Sequence, residues 1–277
     1  MDERLIQALV MGVVQGLTEF LPISSSGHLI LVPSLAGWDD AFVNSLAFSV
    51  MLHVGTLGAL LVYFRDDWLR LVPAGLAALR DRSFAGSSDR RLAWLLAVST
   101  VPAGLAALAF GDLVEREAFR QPGLVVTMLA AFAGVLWLAD RWGARSRSID
   151  QLGFAGALGV GLAQAVALIP GVSRSGATMS AALFAGLDRP SAARYAFLMA
   201  TPVTALAAVY ESLKLVSGTG PVAAEAAPLV AGVVASFVSG LLAIAVLLRY
   251  LRTRSFDVFV VYRLGVAAVF IVAWLRA

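Results

Sequence analysis

Six uninterrupted apolar runs, each about as long as a bilayer span, limit what this chain can fold into. They cover approximately residues 43–64, 92–111, 122–140, 195–213, 229–248 and 257–275. The hydrocarbon core of a bilayer needs roughly 20 apolar residues per helix, so each run is long enough to cross it. With 60% hydrophobic and 14% charged side chains, the chain is far more apolar than a soluble domain of its length. The sequence predicts an all-α polytopic membrane protein, a single integral membrane domain over residues 1–277.

Composition narrows the chemistry. The chain has no cysteine, which excludes disulfides, thiolate nucleophiles and cysteine-ligated metals. Its first residues, MDERLIQAL, lack the basic region and cleavage site of a signal peptide, so we expect them in the mature protein. Twenty of the 21 basic residues are arginine, and most lie in short loops, where the positive-inside rule puts them. The net charge of +3 therefore gives no reason to expect nucleic acid as a partner.

Two further apolar stretches, 5–34 and 152–187, are interrupted by proline, glycine and a serine cluster. A shift of 149 residues superimposes one on the other and aligns Gln15 with Gln164, Ser24 with Ser173, Ser26 with Ser175, and Gly27 with Gly176. This match predicts a duplication, with one repeat over about 1–142 and the other over about 150–277. Paired interruptions at corresponding positions of two repeats indicate a site built between them.

The distribution of arginine indicates how the interrupted stretches meet the membrane. Suppose first that each stretch enters the membrane and returns to the face from which it came. The loops 65–91, 141–150, 188–194 and 249–254 then share one side and carry 14 basic residues, against 5 on the other side. If both cross, the division is 12 to 7. The positive-inside rule favours the first arrangement. We therefore expect six transmembrane helices and two re-entrant broken helices in an inverted-topology repeat, with the two breaks meeting in a polar pocket near the midplane.

The two breaks concentrate groups suited to phosphate chemistry. The first supplies Gln15, Glu19, Ser24, Ser25, Ser26 and His28, and the second supplies Gln164, Ser173, Arg174, Ser175 and Thr178. Ionisable residues at membrane depth are expensive and are by default functional candidates. Free backbone N–H groups at a helix start bind anions, and a guanidinium suits bidentate contact with phosphate. These residues predict a membrane-embedded phosphate or pyrophosphate site, which either catalyses a reaction or transports a lipid.

Other polar residues in the apolar runs receive a structural interpretation. His53 lies in a continuous helix and is interpreted as a packing residue, and Arg263 in the last helix is not assigned to the site. Serine and glycine alone also allow close helix packing in membranes. The duplicated breaks differ from such positions because they combine glutamate, histidine and arginine.

The segments QGLTEFLPISSSGHL and PGVSRSGAT resemble, in order and spacing, the two signature motifs of the undecaprenyl-pyrophosphate phosphatase family of the bacitracin-resistance type. The resemblance covers essentially the whole chain. It implies a multi-pass enzyme of the bacterial inner membrane, with its site open to the periplasm. The implied reaction hydrolyses undecaprenyl pyrophosphate to undecaprenyl phosphate and inorganic phosphate, which recycles the lipid carrier of cell-wall synthesis and confers bacitracin resistance. A homodimer and a divalent cation, Mg²⁺ or Ca²⁺, are also implied.

The resemblance also implies roles for single residues. Glu19, Ser25, His28 and Arg174 match the family's functional positions, with Glu19 as the cation ligand, while Gln15 stands where the family accepts Gln or Glu. The remaining polar residues of the breaks are expected to bind substrate. Three chemistries stay open: Ser25 as nucleophile with His28 as base, His28 as nucleophile, or direct attack by water. The alternative function is a transporter or flippase that carries a lipid phosphate through the same site.

Overall fold

Helices make up nearly all the regular structure of the computed structural model, which describes residues 2–83, 86–114, 116–216 and 226–274. Within these ranges no strand forms apart from one isolated bridge between Arg147 and Leu187. The helices are α1 (Glu3–Phe20), α2 (Ser25–Ala36), α3 (Leu46–Tyr63), α4 (Arg65–Arg80), α5 (Ser88–Val114), α6 (Glu117–Arg120), α7 (Pro122–Trp142), a 3₁₀ turn (Ile149–Gln151), α8 (Phe154–Val166), α9 (Arg174–Phe184), α10 (Arg189–Val216), α11 (Ala226–Tyr250) and α12 (Asp257–Trp274).

Each predicted apolar run lies largely within one helix. In the described ranges four helices, α5, α7, α10 and α11, are long and apolar enough to cross a membrane. The pair α3 and α4, bent by 82° at residue 64, makes a fifth span if it is counted as one. The helix α4 forms inside the stretch 65–91 that the sequence assigns to a polar loop, with Asp66 and Asp67 in its first turn. The all-helical, multi-pass prediction is confirmed at this level.

The outward faces of these helices are apolar. Leu108 on α5 is 88% exposed, Leu242 on α11 is 59% exposed, and Val261 on α12 is 69% exposed. Soluble monomers rarely present large continuous apolar surfaces to water. Such a surface is the one that lipid chains contact, and it agrees with the membrane environment that the composition predicts.

The two interruptions predicted from the serine clusters are present and have the same local geometry. Ser24 ends the first break and Ser173 ends the second, each with a φ of 76° in the left-handed region that non-glycine residues rarely adopt. Each serine hydroxyl accepts the N–H of a glycine three residues later, Gly27 at 3.3 Å and Gly176 at 3.1 Å. Both breaks therefore end in a serine-capped helix start.

The packing of the helices brings the two breaks to one place. The helix α1 packs mainly on α11, and α8 packs on α5 and α9. The contact between α1 and α11 uses small residues: an added Cβ at Gly16 would lie 2.4 Å from the Ser236 carbonyl oxygen. The helix α3 packs on both α11 and α10. As a result, polar side chains of α1, α2, α3, α9 and α10 converge inside the bundle.

Candidate active site

A buried carboxylate, Glu19, lies at the centre of the polar cluster between the two breaks. Its oxygen Oε2 accepts a hydrogen bond from Ser25 Oγ at 2.5 Å and another from Gln15 Nε2 at 3.0 Å. Its oxygen Oε1 pairs with the guanidinium of Arg174 from the second break. Only 3% of the Glu19 side chain is exposed. The structure thus brings together Gln15, Glu19, Ser25 and Arg174, four residues that the motifs single out.

Arg174 joins the first break to α10. One terminal nitrogen contacts Glu19, and the other donates to Thr204 Oγ1 at 2.7 Å. The backbone positions the side chain, because Arg174 is the first residue of α9, directly after the left-handed Ser173. About a fifth of the side chain is exposed, so the guanidinium also borders the open part of the cluster. Sequence reasoning did not identify Thr204, which lies in a continuous apolar helix.

His53 of α3 also faces Glu19, although the sequence interpretation treats it as a packing residue. Its Nε2 lies 3.5 Å from Glu19 Oε2, and its Nδ1 lies 2.9 Å from the carbonyl oxygen of Ser49 one turn earlier. The side chain is 27% exposed. An ionisable residue inside an apolar run was the available signal, but the contact depends on how α3 packs against α1.

His28 lies apart from the Glu19 cluster. Its Nδ1 is 2.8 Å from the Ser24 carbonyl oxygen, and its Nε2 is 2.8 Å from the hydroxyl of Tyr262 on α12. The two rings are nearly parallel, with centroids 5.6 Å apart. The ring is therefore directed toward α12, whereas the Ser25 hydroxyl turns to Glu19. The expected pairing of Ser25 with His28 is absent from the described contacts for this reason.

The remaining serines and Thr178 mainly stabilise the breaks. The hydroxyls of Ser24 and Ser173 cap their own helices, and Ser175 Oγ donates to the carbonyl of Leu21 at 3.0 Å, across the two breaks. Thr178 Oγ1 donates to the carbonyl of its own helix, at Arg174, at 2.8 Å. Ser26 is exposed, and its Oγ lies 3.4 Å from Ser24 Oγ.

Two glutamines related by the 149-residue shift carry unpaired polar atoms. Gln15 is fully buried, and its Oε1 finds no hydrogen-bond partner in the part of the chain that the structure describes. Gln164 is 2% exposed, and both of its amide atoms lack a partner within the same ranges. Unpaired buried polar atoms are rare in proteins and usually have a missing water, ion or ligand to explain them.

Arg263 connects both breaks from α12. It is fully buried, and it donates to the carbonyl oxygens of Leu129 at 2.9 Å, Pro22 at 3.2 Å, and Gly171 and Val172 at 3.1 Å each. Pro22 belongs to the first break, and the last two belong to the second. A single guanidinium therefore satisfies carbonyls that neither broken helix can pair internally. Sequence reasoning did not assign this residue to the site.

The cluster offers a cation one carboxylate. Among the described residues, no three His, Asp or Glu side chains lie together as a metal-binding group. Oxygen donors are nevertheless present, namely Glu19 Oε2 and the unpaired Gln15 Oε1. Mg²⁺ is usually held by one or two carboxylates, with substrate phosphates and water completing its shell. The residues present fit a cation held in this way.

Comparison with known proteins points to one family. The family model described as Bacitracin resistance protein BacA matches residues 8–269. A protein named undecaprenyl-diphosphatase from Gemmatimonas aurantiaca is 46% identical over 257 residues, 93% of each chain. Proteins of the same name from Thermomicrobium roseum and Idiomarina loihiensis are 45% and 43% identical, over 98% and 95% of this chain and 99% and 97% of their own.

Proposed function

This chain belongs to the bacitracin resistance protein BacA family, and we propose that it hydrolyses undecaprenyl pyrophosphate to undecaprenyl phosphate and inorganic phosphate. The relatives that carry the name undecaprenyl-diphosphatase match it over nearly their whole length. This reaction recycles the lipid carrier of cell-wall synthesis. It also removes the pyrophosphate that bacitracin sequesters, so abundant enzyme confers resistance.

One observation carries the proposed chemistry: a serine hydroxyl donates to a buried carboxylate that also pairs with an arginine. A carboxylate in hydrogen-bond contact can take the proton of an attacking hydroxyl. The neighbouring guanidinium suits the oxygens of a pyrophosphate. Ser25, Glu19 and Arg174 therefore provide a nucleophile, a base and an anion-binding group within one cluster.

In the proposed reaction the Ser25 oxygen bonds to the terminal phosphorus while the bridging P–O bond breaks. The Ser25 proton passes to Glu19, and undecaprenyl phosphate leaves with the electrons of the broken bond. Glu19 gives this proton to the departing undecaprenyl phosphate and then takes a proton from the attacking water. The water oxygen bonds to phosphorus while the P–O bond of the phosphoserine breaks, and Glu19 returns the proton to the Ser25 oxygen as inorganic phosphate leaves. In this proposal Glu19 takes the role of base that the motif suggested for His28, because Ser25 contacts Glu19.

The other residues of the breaks bind or position the substrate in this proposal. Arg174 holds the phosphates together with the N–H groups at the starts of α2 and α9. Ser173, Ser175 and Thr178 line the second break, Ser24 and Ser26 line the first, and Gln15 and Gln164 offer unpaired amide atoms. His28, held between Ser24 and Tyr262, fixes the first turn of α2.

We also propose a divalent cation, Mg²⁺ or Ca²⁺, at Glu19. Phosphate oxygens and water would complete its shell, since Glu19 is the one carboxylate that the described residues bring to the cluster. When bound, the cation would neutralise charge on the pyrophosphate. The residues of the chain would still supply the nucleophile and the base.

The architecture proposed here is an inverted repeat of residues 1–142 and 150–277, with six transmembrane helices and two re-entrant broken helices. The packing supports it, because two equivalent contacts join the halves. In one, α1 of the first half packs on α11 of the second, and in the other, α8 of the second half packs on α5 of the first. The pairs α3 with α10 and α7 with α12 also contact each other, as elements near a two-fold axis would. The proposal places the protein in the inner membrane as a homodimer, with its site opening to the periplasm.

Phosphate release by purified protein in detergent tests the function. We expect release of inorganic phosphate from a prenyl pyrophosphate with Mg²⁺ or Ca²⁺, and its loss in Arg174→Ala. Detergent removes the two compartments that a flippase needs, so transport cannot produce this signal. Detergent-solubilised, folded protein that releases no phosphate would contradict the enzyme proposal and favour the transporter.

A further inference from the structure

The contact between His53 and Glu19 is too long for a hydrogen bond. Nε2 and Oε2 are 3.5 Å apart, whereas an N–H···O bond spans about 2.7–3.2 Å. Two ligands that each lie about 2.1 Å from one cation are about 3.0–3.4 Å apart at ordinary coordination angles. The measured separation is thus closer to that of two ligands of one ion.

The other ring nitrogen of His53 determines which atom faces Glu19. Nδ1 lies 2.9 Å from the Ser49 carbonyl oxygen, which can only accept, so Nδ1 carries the hydrogen. In the neutral ring Nε2 then presents its lone pair to the carboxylate oxygen. Metal-binding histidines are usually held in this way, with the second nitrogen donating to a backbone carbonyl.

An independent observation comes from Gln15, which is fully buried beside the same carboxylate. Its Nε2 contacts Glu19 Oε2, while its Oε1 has no partner in the described residues. Rotation of the terminal amide exchanges these two atoms. The carbonyl oxygen is a suitable third donor for a cation between Glu19 and His53, and such binding would pair an otherwise unsatisfied atom.

We propose that His53 is a nitrogen ligand of the cation at Glu19, with Gln15 as a third donor, and that the site therefore also binds a first-row divalent metal such as Mn²⁺. The proposal rests on the proposed function only in placing a divalent cation at Glu19. Imidazole binds first-row metals better than it binds Ca²⁺ or Mg²⁺, which favour oxygen. Arg174 contacts Oε1 of Glu19, so the oxygen that faces His53 is Oε2, which also accepts the hydrogen bond of Ser25. The 27% exposure of the His53 side chain gives the ion access.

Pulsed EPR of Mn²⁺ bound to the full chain tests this site directly. The chain has two histidines, so an imidazole nitrogen coupled to Mn²⁺ comes from His53 or His28, provided that the purification tag contains none. We expect ¹⁴N modulation in the wild type and in His28→Gln, and its loss in His53→Gln. His28 is the matched control because both of its ring nitrogens are already engaged. No nitrogen coupling in Mn²⁺-loaded wild type, or coupling that survives in His53→Gln, would overturn the proposal.

Affinity measurements extend the test to selectivity. We expect His53→Phe, which has no donor atom, to bind Mn²⁺ at least 10-fold more weakly, with a smaller change for Ca²⁺. His53→Gln should recover part of the Mn²⁺ affinity through an amide oxygen. Equal losses for the two ions would contradict a nitrogen ligand.

Phosphate release from the same wild-type preparation separates the two proposals. Activity without nitrogen coupling rejects only the metal site, and coupling without activity rejects only the hydrolase.

Discussion

Glu19 contacts Ser25, Gln15 and Arg174, and it is the base of the proposed reaction. We expect Glu19→Gln to lower the rate of phosphate release about 100-fold or more, because an amide cannot take the serine proton. Initial rates at saturating prenyl pyrophosphate, with elution on size exclusion as a check of folding, measure the effect. Glu3→Gln, at the exposed start of the same helix, is the control and should keep wild-type activity. A folded Glu19→Gln protein within 3-fold of wild type would remove Glu19 from the mechanism.

Tyr262 holds His28 from α12, which makes it a positioning residue for the first break. Tyr262→Phe removes one hydrogen bond of about 0.5–1.5 kcal/mol, so we expect a 2- to 10-fold lower kcat with little change in KM. Tyr63→Phe on α3, away from this contact, is the matched control. A larger effect of the control than of Tyr262→Phe would show that the hydroxyl of Tyr262 is unimportant.

The sequence could predict Glu19, Ser25 and Arg174 as one cluster because all three lie in the two matched breaks. It could not predict His53 and Thr204, which lie in uninterrupted apolar helices and reach the cluster only through helix packing. For His28 the motif indicates that the residue is important, but it does not indicate which way the imidazole ring points. The direction of its ring depends on Tyr262, more than 200 residues later.

At the scale of elements, Arg263 connects α12 to both breaks. Arg263→Met would leave the buried carbonyls of Pro22, Gly171 and Val172 without this donor, and each unpaired carbonyl costs about 1–3 kcal/mol. We expect a clearly lower melting temperature in detergent and a loss of phosphate release. Arg263→Lys, with fewer donors, should recover part of both.

The control for this change is Arg252→Met, an exposed arginine after α11. It should melt and react as the wild type does. If Arg263→Met matched Arg252→Met in both measurements, the breaks would not depend on this connection.

The contact between α1 and α11 depends on the absence of a side chain at Gly16. An added Cβ would lie 2.0 Å from Ser239 Oγ and 2.4 Å from the Ser236 carbonyl oxygen, so Gly16→Ala must push the helices apart. We expect a loss of about 1–3 kcal/mol in the free energy of unfolding, measured by denaturation in mixed micelles. Gly104→Ala on α5, where an added Cβ meets nothing within 4 Å, should be neutral or slightly stabilising. Equal stability of the two variants would contradict the close contact.

The elements themselves were largely predictable, because apolar runs and serine–glycine breaks are local signals. The helix α4 was not predictable in this way, because its charged residues make the stretch 65–91 similar in composition to a polar loop. The bend of 82° between α3 and α4 could not be predicted either, because no proline or glycine stands near residue 64 to mark it.

At the scale of the whole molecule, the proposed orientation can be tested in a chain without native cysteine. We expect Glu3→Cys and Asp39→Cys, which lie on either side of the first break, to react with an impermeant maleimide added to intact spheroplasts, and Ser87→Cys to react only after permeabilisation. All three positions are exposed, so access depends on the side of the membrane. Labelling of Glu3→Cys and Asp39→Cys from opposite sides would reject the re-entrant arrangement.

Arg263 also limits how this molecule can move. A carrier that alternates between two faces rocks one half of its bundle against the other, and the hinge passes through the shared site. Here the Arg263 guanidinium donates hydrogen bonds to carbonyl oxygens of both halves, and lipid has no groups that could replace these bonds. Relative rotation of the halves would therefore carry a high free-energy barrier. A protein with this arrangement is suited to bind its lipid and release its products through one permanent opening.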